Sequence, residues 1–455
     1  MDKPCFYRSN QLISFQQFYG DITAARQNLV SEKHHKIMLF HEDSYIFTVL
    51  LFALILEKKH VYLPPNKQVG TLQSLAEKVD ATVGDFNVEN KPAFTACWHK
   101  VANDDDGANI DKLFANFSGK VSFFTSGSTG QPKEIVKQCH QLTRELSTLY
   151  TTFSEQFNRC DIVVSTVSHQ HIYGLLFKIL LPLRLAKLIV NKTFEYPEHI
   201  NTDLSALTNK NSATNKKKII LVSSPAHLKR LVIDNVLAEN SSQYCATFSS
   251  GGLLPVEVSQ DYHQQMGLAP IEIFGSTETG GIAWRCGQPL TTTPWQLFTD
   301  ISYQTNKESK RLAIFSPYLD EQPYLTDDCV EYIDEQQFIL KGRVDRTVKI
   351  EEKRVNLDHL ERHLMTHPWV VDAKVFFIIN NHAHRNSLCC ALITTNSAQT
   401  MITNLGKRAL NDTFKQHLLT DFERVCLPKK WRYLEKFPYN SQGKILLSDL
   451  ERLFD

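Results

Sequence analysis

Little in the chain ties it to an oxidising compartment, a membrane or a nucleic acid. Its ten cysteines form no Cys-x-x-Cys pair and, apart from the neighbours Cys389 and Cys390, no regular spacing. Neither a disulfide framework nor a zinc site is therefore expected. No apolar stretch with a small-residue cleavage site follows Met1, so the expectation is a cytoplasmic protein with free thiols. The most apolar run, Tyr45–Leu56, has only twelve residues, too few to cross a hydrocarbon layer of roughly 30 Å. No membrane span is expected. A net charge of only +1 gives no basic surplus to recruit a nucleic acid. There is no internal repeat and no long low-complexity tract. The acidic triplet Asp104–Asp106 lacks the alternating ligands of an EF-hand loop, and no metal is assigned to it.

What is present suits a large globular protein. A chain of 455 residues can form two or more domains with a sizeable core. The hydrophobic share of 42% and charged share of 22% are those of an ordinary soluble protein. Charge is unevenly placed: Arg346–Asp455 holds 17 Lys and Arg against 12 Asp and Glu, a surplus of five. Such a segment suits an acidic partner or a phosphate-bearing ligand, or is simply a solvated surface.

Asp43 and Ser44 stand as capping residues before Tyr45–Leu56, and Lys58-Lys59 close it, which predicts a buried helix. Strand-like runs such as Lys120–Phe124 and Lys218–Leu221 alternate with helical stretches through the first two-thirds, predicting an α/β fold. The polar stretches 103–109 and 209–218 read as surface loops. After Leu340–Arg346 the pattern starts afresh. Thr347–Ile350 reads as a strand, and Asn356 as the N-cap of a helix in which Leu357, Leu360 and Leu364 recur at helical spacing. Val370–Ile379 and Leu388–Thr395 read as two further strands. This final segment is domain-sized.

Residues 125–133 read Thr-Ser-Gly-Ser-Thr-Gly-Gln-Pro-Lys. A flexible linker would lie between polar segments, but this stretch lies between two strand-like runs, Val121–Phe124 and Glu134–Gln138. A Walker loop needs Gly-Lys-Ser/Thr leading into a helix. Here Pro132 precedes Lys133, no hydroxyl residue follows the lysine, and a strand comes next. What remains is a strand–loop–strand whose glycines let backbone N–H groups approach phosphate oxygens. Thr125, Ser126, Ser128 and Thr129 add hydroxyl donors, and Lys133 adds charge.

With the segments that follow it, this stretch resembles the adenylate-forming (AMP-binding) superfamily of acyl- and aryl-CoA synthetases, luciferases and peptide-synthetase adenylation domains. The resemblance runs in order over roughly residues 45 to 450. Thr125–Lys133 resembles the phosphate loop, and His171–Leu175 the His-x-x-Gly segment beside the acid pocket. Ser249–Pro255 resembles the Ser-Gly-Gly stretch lining the adenine, and Phe274–Gly281 the aromatic-Gly-x-Thr-Glu motif. Tyr324–Asp328 resembles the Thr-Gly-Asp motif, Gly342–Val355 the hinge and the first C-terminal strands, and Phe437–Ile445 the final Gly-Lys segment.

The resemblance implies a large N-terminal adenylate-forming domain of mixed β-sheets with helices, residues 1–342. A hinge at 343–345, centred on Asp345, and a small mobile α+β domain, 346–455, would follow. It implies ATP-dependent activation of a carboxylic acid to acyl-AMP with release of pyrophosphate, then transfer to a phosphopantetheine thiol. ATP and Mg²⁺ are the implied cofactors. Lys444, Thr277 and Glu278 would be catalytic, Lys444 bridging the carboxylate and α-phosphate, Thr277 touching that phosphate, and Glu278 holding Mg²⁺. The nucleotide would be bound by Thr125, Ser126, Gly127, Ser128, Thr129, Gly130, Lys133, Ser250, Gly251, Gly252, Phe274, Gly275, Ser276, Asp328 and Arg343. The acid pocket would lie near His171, Tyr173 and Gly280, although His171 is equally a packed core histidine.

Three positions depart from the family pattern. Asp327 replaces the middle glycine of Thr-Gly-Asp and leaves two adjacent carboxylates, of which register favours Asp328. Glu134 replaces the glycine after the phosphate-loop lysine. Glu352 places a bulky anion where glycine lies beside the incoming pantetheine. Together with the basic C-terminal segment, in which Leu427–Arg432 is a candidate docking patch, Glu352 favours an acidic acyl carrier protein over free CoA as acceptor. The chain is similar to compact bacterial ligases that load carrier proteins with acyl or aryl groups for lipid or aryl-polyene synthesis. Free CoA stays the alternative, with an adenylating enzyme serving a non-thiol acceptor and a non-catalytic nucleotide- or acyl-binding relative behind it. Sequence does not choose between an aryl and a fatty acid.

Overall fold

The apolar run folds as the helix Ser44–Leu56, and between Ser44 and Ile55 only Ile46 escapes full burial. A helix apolar on every side must be enclosed on every side. This one packs against the strands Lys36–Phe40 and His60–Leu63 of one sheet and Leu188–Thr193 of another. Asp43 caps it, with Oδ1 accepting from the N–H groups of Tyr45 (2.9 Å) and Ile46 (3.1 Å). Ser44 is not the cap. It is buried and its hydroxyl donates to the carbonyl oxygen of Asn191 at 2.5 Å.

The computed structural model describes residues 3–29, 33–94, 109–126, 132–194, 196, 199–208, 217–287, 293–305, 310–344, 346–350, 353–378, 387–439, 445 and 447–454. The chain divides into two compact units, Met1–Ser302 with Ile314–Tyr324, and Tyr303–Ala313 with Leu325–Asp455.

The first unit is α/β with two mixed sheets. In the six-stranded sheet the order is Ala93–Phe94, Ala81–Gly84, Lys36–Phe40, His60–Leu63, Lys120–Ser126 and Pro132–Gln138. All neighbours are parallel except the last pair, an antiparallel hairpin. In the other sheet Pro4–Arg8, Leu188–Thr193, Ile162–Ser165, Ile219–Ser223, Tyr244–Ser249 and Ile271–Ser276 are neighbours in that order, all parallel. Gly280–Cys286 and Trp295–Leu297 extend it antiparallel. Parallel strands covered on both faces need near-continuous apolar runs; Ile162–Ser165 and Ile219–Ser223 are buried at every residue.

The second unit contains the hairpin Tyr324–Tyr332/Gln337–Arg343, the hairpin Thr347–Ile350/Lys353–Asn356, and a three-stranded sheet of Val370–Ile378, Ser387–Thr394 and Lys430–Leu434. Asn356 caps Leu357–Met365, its Oδ1 accepting from the His359 N–H at 2.9 Å. Leu360 and Leu364 of that helix meet Cys390 and Leu392 of the sheet and Phe414 of the helix Asn396–Leu418 in one core.

Removing the Asp43 carboxylate strips two helix N–H groups of their acceptor. Asp43→Ala should destabilise the first unit by about 1 kcal/mol and lower its Tm, whereas Asp43→Asn, which keeps an accepting side-chain oxygen, should recover most of that loss. Thermal unfolding of both variants checks this.

Candidate functional site

Strands of a parallel sheet end on a common edge, and ligands of open α/β sheets bind there. In the first unit, several of the predicted segments follow such ends. Ser250–Gly252 follow Tyr244–Ser249, and Thr277 and Glu278 follow its neighbour Ile271–Ser276. His171 comes six residues after Ile162–Ser165 ends. The phosphate-loop segment leaves Lys120–Ser126 in the other sheet.

The turn carrying Thr277 and Glu278 is tied by its own hydroxyls. Thr279 Oγ1 accepts from the Ser276 N–H at 3.1 Å, and Ser276 Oγ accepts from the Thr279 N–H at 3.2 Å. Strand pairing sets Ser276 opposite Gly280 and Gly275 opposite Gly281. Gly280 has φ +71°, and a Cβ there would lie 2.7 Å from Glu145 Oε2. Only glycine fits both the backbone and the space. Thr277 and Glu278 are half-buried at the tip. Phe274, also half-buried, sets its ring 5.4 Å from Trp295.

Ser250 Oγ donates to the Ile273 carbonyl at 2.9 Å, joining the Ser-Gly-Gly stretch to the adjacent strand. Gly251 and Gly252 are exposed, Gly251 with φ +91°. The carboxylate of Glu272 reinforces this join. It accepts from the Leu254 N–H (3.2 Å) and from Arg285 Nε (2.7 Å), and the Arg285 guanidinium lies 4.4 Å from the Trp295 ring centroid.

In the phosphate-loop hairpin Thr125 pairs with Lys133 and Phe124 with Glu134. Thr125 is half-buried. Gly127, Ser128, Thr129 and Gly130 lie outside the described residues, as does the side chain of Ser126. Lys133 is exposed, and its Nζ stands 3.5 Å from Glu278 Oε1. The loop's cation and the turn's carboxylate are thus brought together. Glu134 points to the other face of the strand. It accepts from Ser122 Oγ (2.7 Å) and Lys78 Nζ (3.2 Å). Burial opposes its ionisation, but these two hydrogen bonds prevail and hold its carboxyl below the usual range. The departure from glycine is accommodated there.

His171 is half-buried at the start of the short helix Ile172–Gly174. The core histidine of this segment is His169, which is buried against Phe47, its Nδ1 3.1 Å from Ser44 Oγ and its Nε2 2.8 Å from the His41 carbonyl. The Tyr173 ring lies 5.0 Å from Phe177, and burial pushes its hydroxyl well above the usual range. Gly174 is forced: a Cβ would lie 2.0 Å from the Ser168 carbonyl oxygen.

In the second unit the Arg343 guanidinium stands between the paired carboxylates, with Nη2 3.7 Å from Asp327 Oδ2 and Nη1 3.7 Å from Asp328 Oδ1. Asp327 is also held by Arg311 Nη2 at 2.8 Å, and Arg311 Nε donates to the Thr326 carbonyl at 2.9 Å. The Asp328 side chain is only 15% exposed. Asp345, Glu352 and Lys444 lie outside the described residues. Lys429, Lys430 and Arg432 are exposed while Trp431 between them is buried.

Two buried ionisable residues packed against the Thr277–Glu278 turn, Lys137 and Glu145, escaped the sequence reading. Lys137 Nζ donates to the carbonyl oxygens of Glu278 (2.7 Å) and Tyr318 (2.9 Å). Glu145 Oε1 accepts from the Gly281 N–H at 2.7 Å. Burial lowers the Lys137 pKa against the pull of Glu145, Asp320 and Glu278, and burial raises that of Glu145 to about 7. The available signal was a charge on strand or helix faces that otherwise turn inward; its partners could not be read.

Comparison with known proteins agrees with this architecture. Residues 98–303 match the family model of the AMP-binding enzymes. The fold as a whole matches ATP-bound MatB from Rhodopseudomonas palustris with a TM-score of 0.79, at 15% identity, over 100% of this chain and 96% of that one. Residues 98–303 thus carry the sequence pattern of an AMP-binding enzyme, and the chain as a whole has the fold of that structural neighbour. Among curated proteins, it is 23% identical to 4-coumarate–CoA ligase from Halorhodospira halophila over 71% of its own length and 74% of the relative's. It is 26% identical to malpibaldin synthetase from Mortierella alpina over 29% of its own length, but that match spans only 2% of the relative. Among the described residues no helix is long and apolar enough to cross a membrane.

The Glu145 carboxyl gives a pH signature. A carboxyl raised to about 7 in the folded state binds a proton that the unfolded chain has already released, so its contribution to stability falls as pH rises from about 4.5 to 7. Glu145→Gln should abolish that slope. Its stability relative to wild type should increase by about 2 kcal/mol between pH 5 and pH 7, as read by denaturation at both pH values.

Proposed function

We propose that the protein activates a carboxylic acid with ATP, forming acyl-AMP and releasing pyrophosphate, and then passes the acyl group to a phosphopantetheine thiol. The observation that carries this reading is the approach of Lys133 to Glu278, 3.5 Å apart, on two segments that lie far apart in the chain. A triphosphate needs a cation for its oxygens and a carboxylate for its counter-ion. This site offers one of each.

Glu278 fits a magnesium ion carried in with the nucleotide. Mg²⁺ takes one or two carboxylates and completes its shell with phosphate oxygens and water. A single half-buried carboxylate, without a ligand cluster among the described residues, suits that use better than a resident metal. Bound there, the ion would neutralise phosphate charge. In this reading the loop hydroxyls of Thr125, Ser126, Ser128 and Thr129 and the loop N–H groups grip the β- and γ-phosphates. Thr277 donates to the α-phosphate, and Ser250–Gly252 with Phe274, Gly275 and Ser276 take the adenine side. Asp328 accepts from the ribose hydroxyls, because Asp327 is already engaged by Arg311. Arg343 supports Asp328.

The acid carboxylate, bound near His171, Tyr173 and Gly280, attacks the α-phosphorus, and the bond to the bridging oxygen of pyrophosphate breaks. Lys444 draws the two anions together; positioning and charge neutralisation do most of the work. In the second step the thiol sulfur attacks the acyl carbonyl and AMP leaves. Residues 343–345 are the proposed hinge between the two steps. We take an acyl carrier protein as the acceptor, since Lys429, Lys430 and Arg432 form an exposed basic row that suits an acidic partner. An aryl and a fatty acid are both compatible with the aromatic and small residues of the pocket.

Acid-dependent exchange of pyrophosphate into ATP tests the first step, across hydroxybenzoates, cinnamates and fatty acids of increasing length. One acid class should support exchange, and Glu278→Gln should lower it by about 10²-fold. ATP binding without exchange for any acid would favour a non-catalytic relative. Lys444→Ala should abolish acyl-AMP formation while leaving thioester formation from supplied acyl-AMP largely intact. Offering holo carrier protein and free CoA side by side then identifies the acceptor.

A further inference from the structure

The strand Pro132–Gln138 carries two lysines four residues apart, on the same face by strand alternation. Both are directed at Glu278, from opposite ends of the residue. Lys133 is 57% exposed at its side chain and stands 3.5 Å from the carboxylate. Lys137 is 3% exposed, and its ammonium donates to the main-chain carbonyl of Glu278 at 2.7 Å and to that of Tyr318 at 2.9 Å. An ammonium in such a place is costly to desolvate, and main-chain carbonyls compensate only where they are held in position.

The surroundings hold them. Glu145, on the following helix, accepts from the Gly281 N–H at 2.7 Å. Gln141, one turn earlier, donates through Nε2 to Asp320 Oδ1 at 2.9 Å and accepts from the Gln138 N–H at 2.8 Å. The carbonyl before the turn's last residues and the amide after them are thus fixed from beneath by one strand–helix corner, and the segment around Tyr318 is bound to the same corner.

We infer that Lys137 is a positioning residue for Glu278: it fixes the main chain of the turn so that the carboxylate faces the phosphate-loop lysine and can meet the magnesium of MgATP. Lys137 touches neither nucleotide nor metal and acts through the Glu278 carbonyl. The inference rests on the reading of Glu278 as the magnesium carboxylate.

Equilibrium binding of α,β-methylene-ATP, measured calorimetrically with and without Mg²⁺, tests it without turnover. The readout is the ratio of the two affinities. In wild type Mg²⁺ should strengthen binding, and Glu278→Gln should erase the gain. Lys137→Met, similar in volume but without the ammonium, should reduce the ratio by about fivefold while leaving metal-free affinity near wild type. In the Glu278→Gln background the same change should add nothing to the ratio. Lys137→Arg, which keeps the charge and the donors, should recover part of it. A purely structural lysine would lower both affinities together, and that outcome, or an unchanged ratio in Lys137→Met, overturns the inference while leaving the proposed reaction standing. A wild-type ratio in Glu278→Gln overturns the magnesium assignment itself, and the inference with it. Should Lys137→Met fail to fold, Lys137→Gln, which loses the charge but retains one donor, is judged by the same ratio.

Discussion

The candidate site depends on a place where no side chain can stand. A Cβ on Gly275 would lie 2.2 Å from the Gly280 carbonyl oxygen, and one on Gly280 would lie 2.7 Å from the Glu145 carboxylate. Because both positions lack one, the strands Ile271–Ser276 and Gly280–Cys286 can close on a turn short enough for Ser276 and Thr279 to bond each other. That closure presents Thr277 and Glu278 at the edge of the sheet. A bulkier residue at either glycine would open the hairpin, and Glu278 would lose its station opposite Lys133. Catalysis of the proposed kind rests on fixed positions more than on reactive groups, so the steric constraint and the chemistry are one requirement.

Much of this was legible because it is local. The helix Ser44–Leu56 announces itself by composition and by the cap at Asp43. Asn356 and the leucines after it fix the helix Leu357–Met365 in the same way. The site motifs are short runs whose residue types suit phosphate and ribose, and their order along the chain carried the family resemblance. What stayed hidden were buried polar contacts with distant partners. Lys137 bonds to a carbonyl 141 residues away, and Glu145 to an amide 136 residues away. No local pattern encodes such a partner, since every residue offers the same main-chain carbonyl and N–H. Ser44 failed as a cap for a related reason: the Asn191 carbonyl, 147 residues on, takes its hydroxyl.

Two of the departures from the family pattern, Glu134 and Asp327, are absorbed where they occur. Glu134 lies on the face of its strand opposite Lys133 and is neutralised by Lys78 with a hydrogen bond from Ser122, so the phosphate side gains no extra anion. Asp327 is neutralised by Arg311, which also grips the Thr326 carbonyl. Each of these two carboxylates comes with a cation beside it, and the polarity of the neighbouring functional position is preserved.

The two lysines of Pro132–Gln138 show how burial divides one residue type into two functions. An exposed ammonium on a four-carbon stem keeps its hydration and its rotamers, and can follow a phosphate as charge moves during reaction. A buried ammonium has lost both, and its hydrogen bonds become fixed struts because releasing them would leave a charge unsolvated. Lys133 has the first environment and Lys137 the second, on one face of one strand. A strand suits this arrangement, since residues two apart share a face at a constant rise. The mobile cation and the fixed one are therefore held in register by the same main chain, and the carboxylate between them is addressed at its side chain by one and at its backbone by the other.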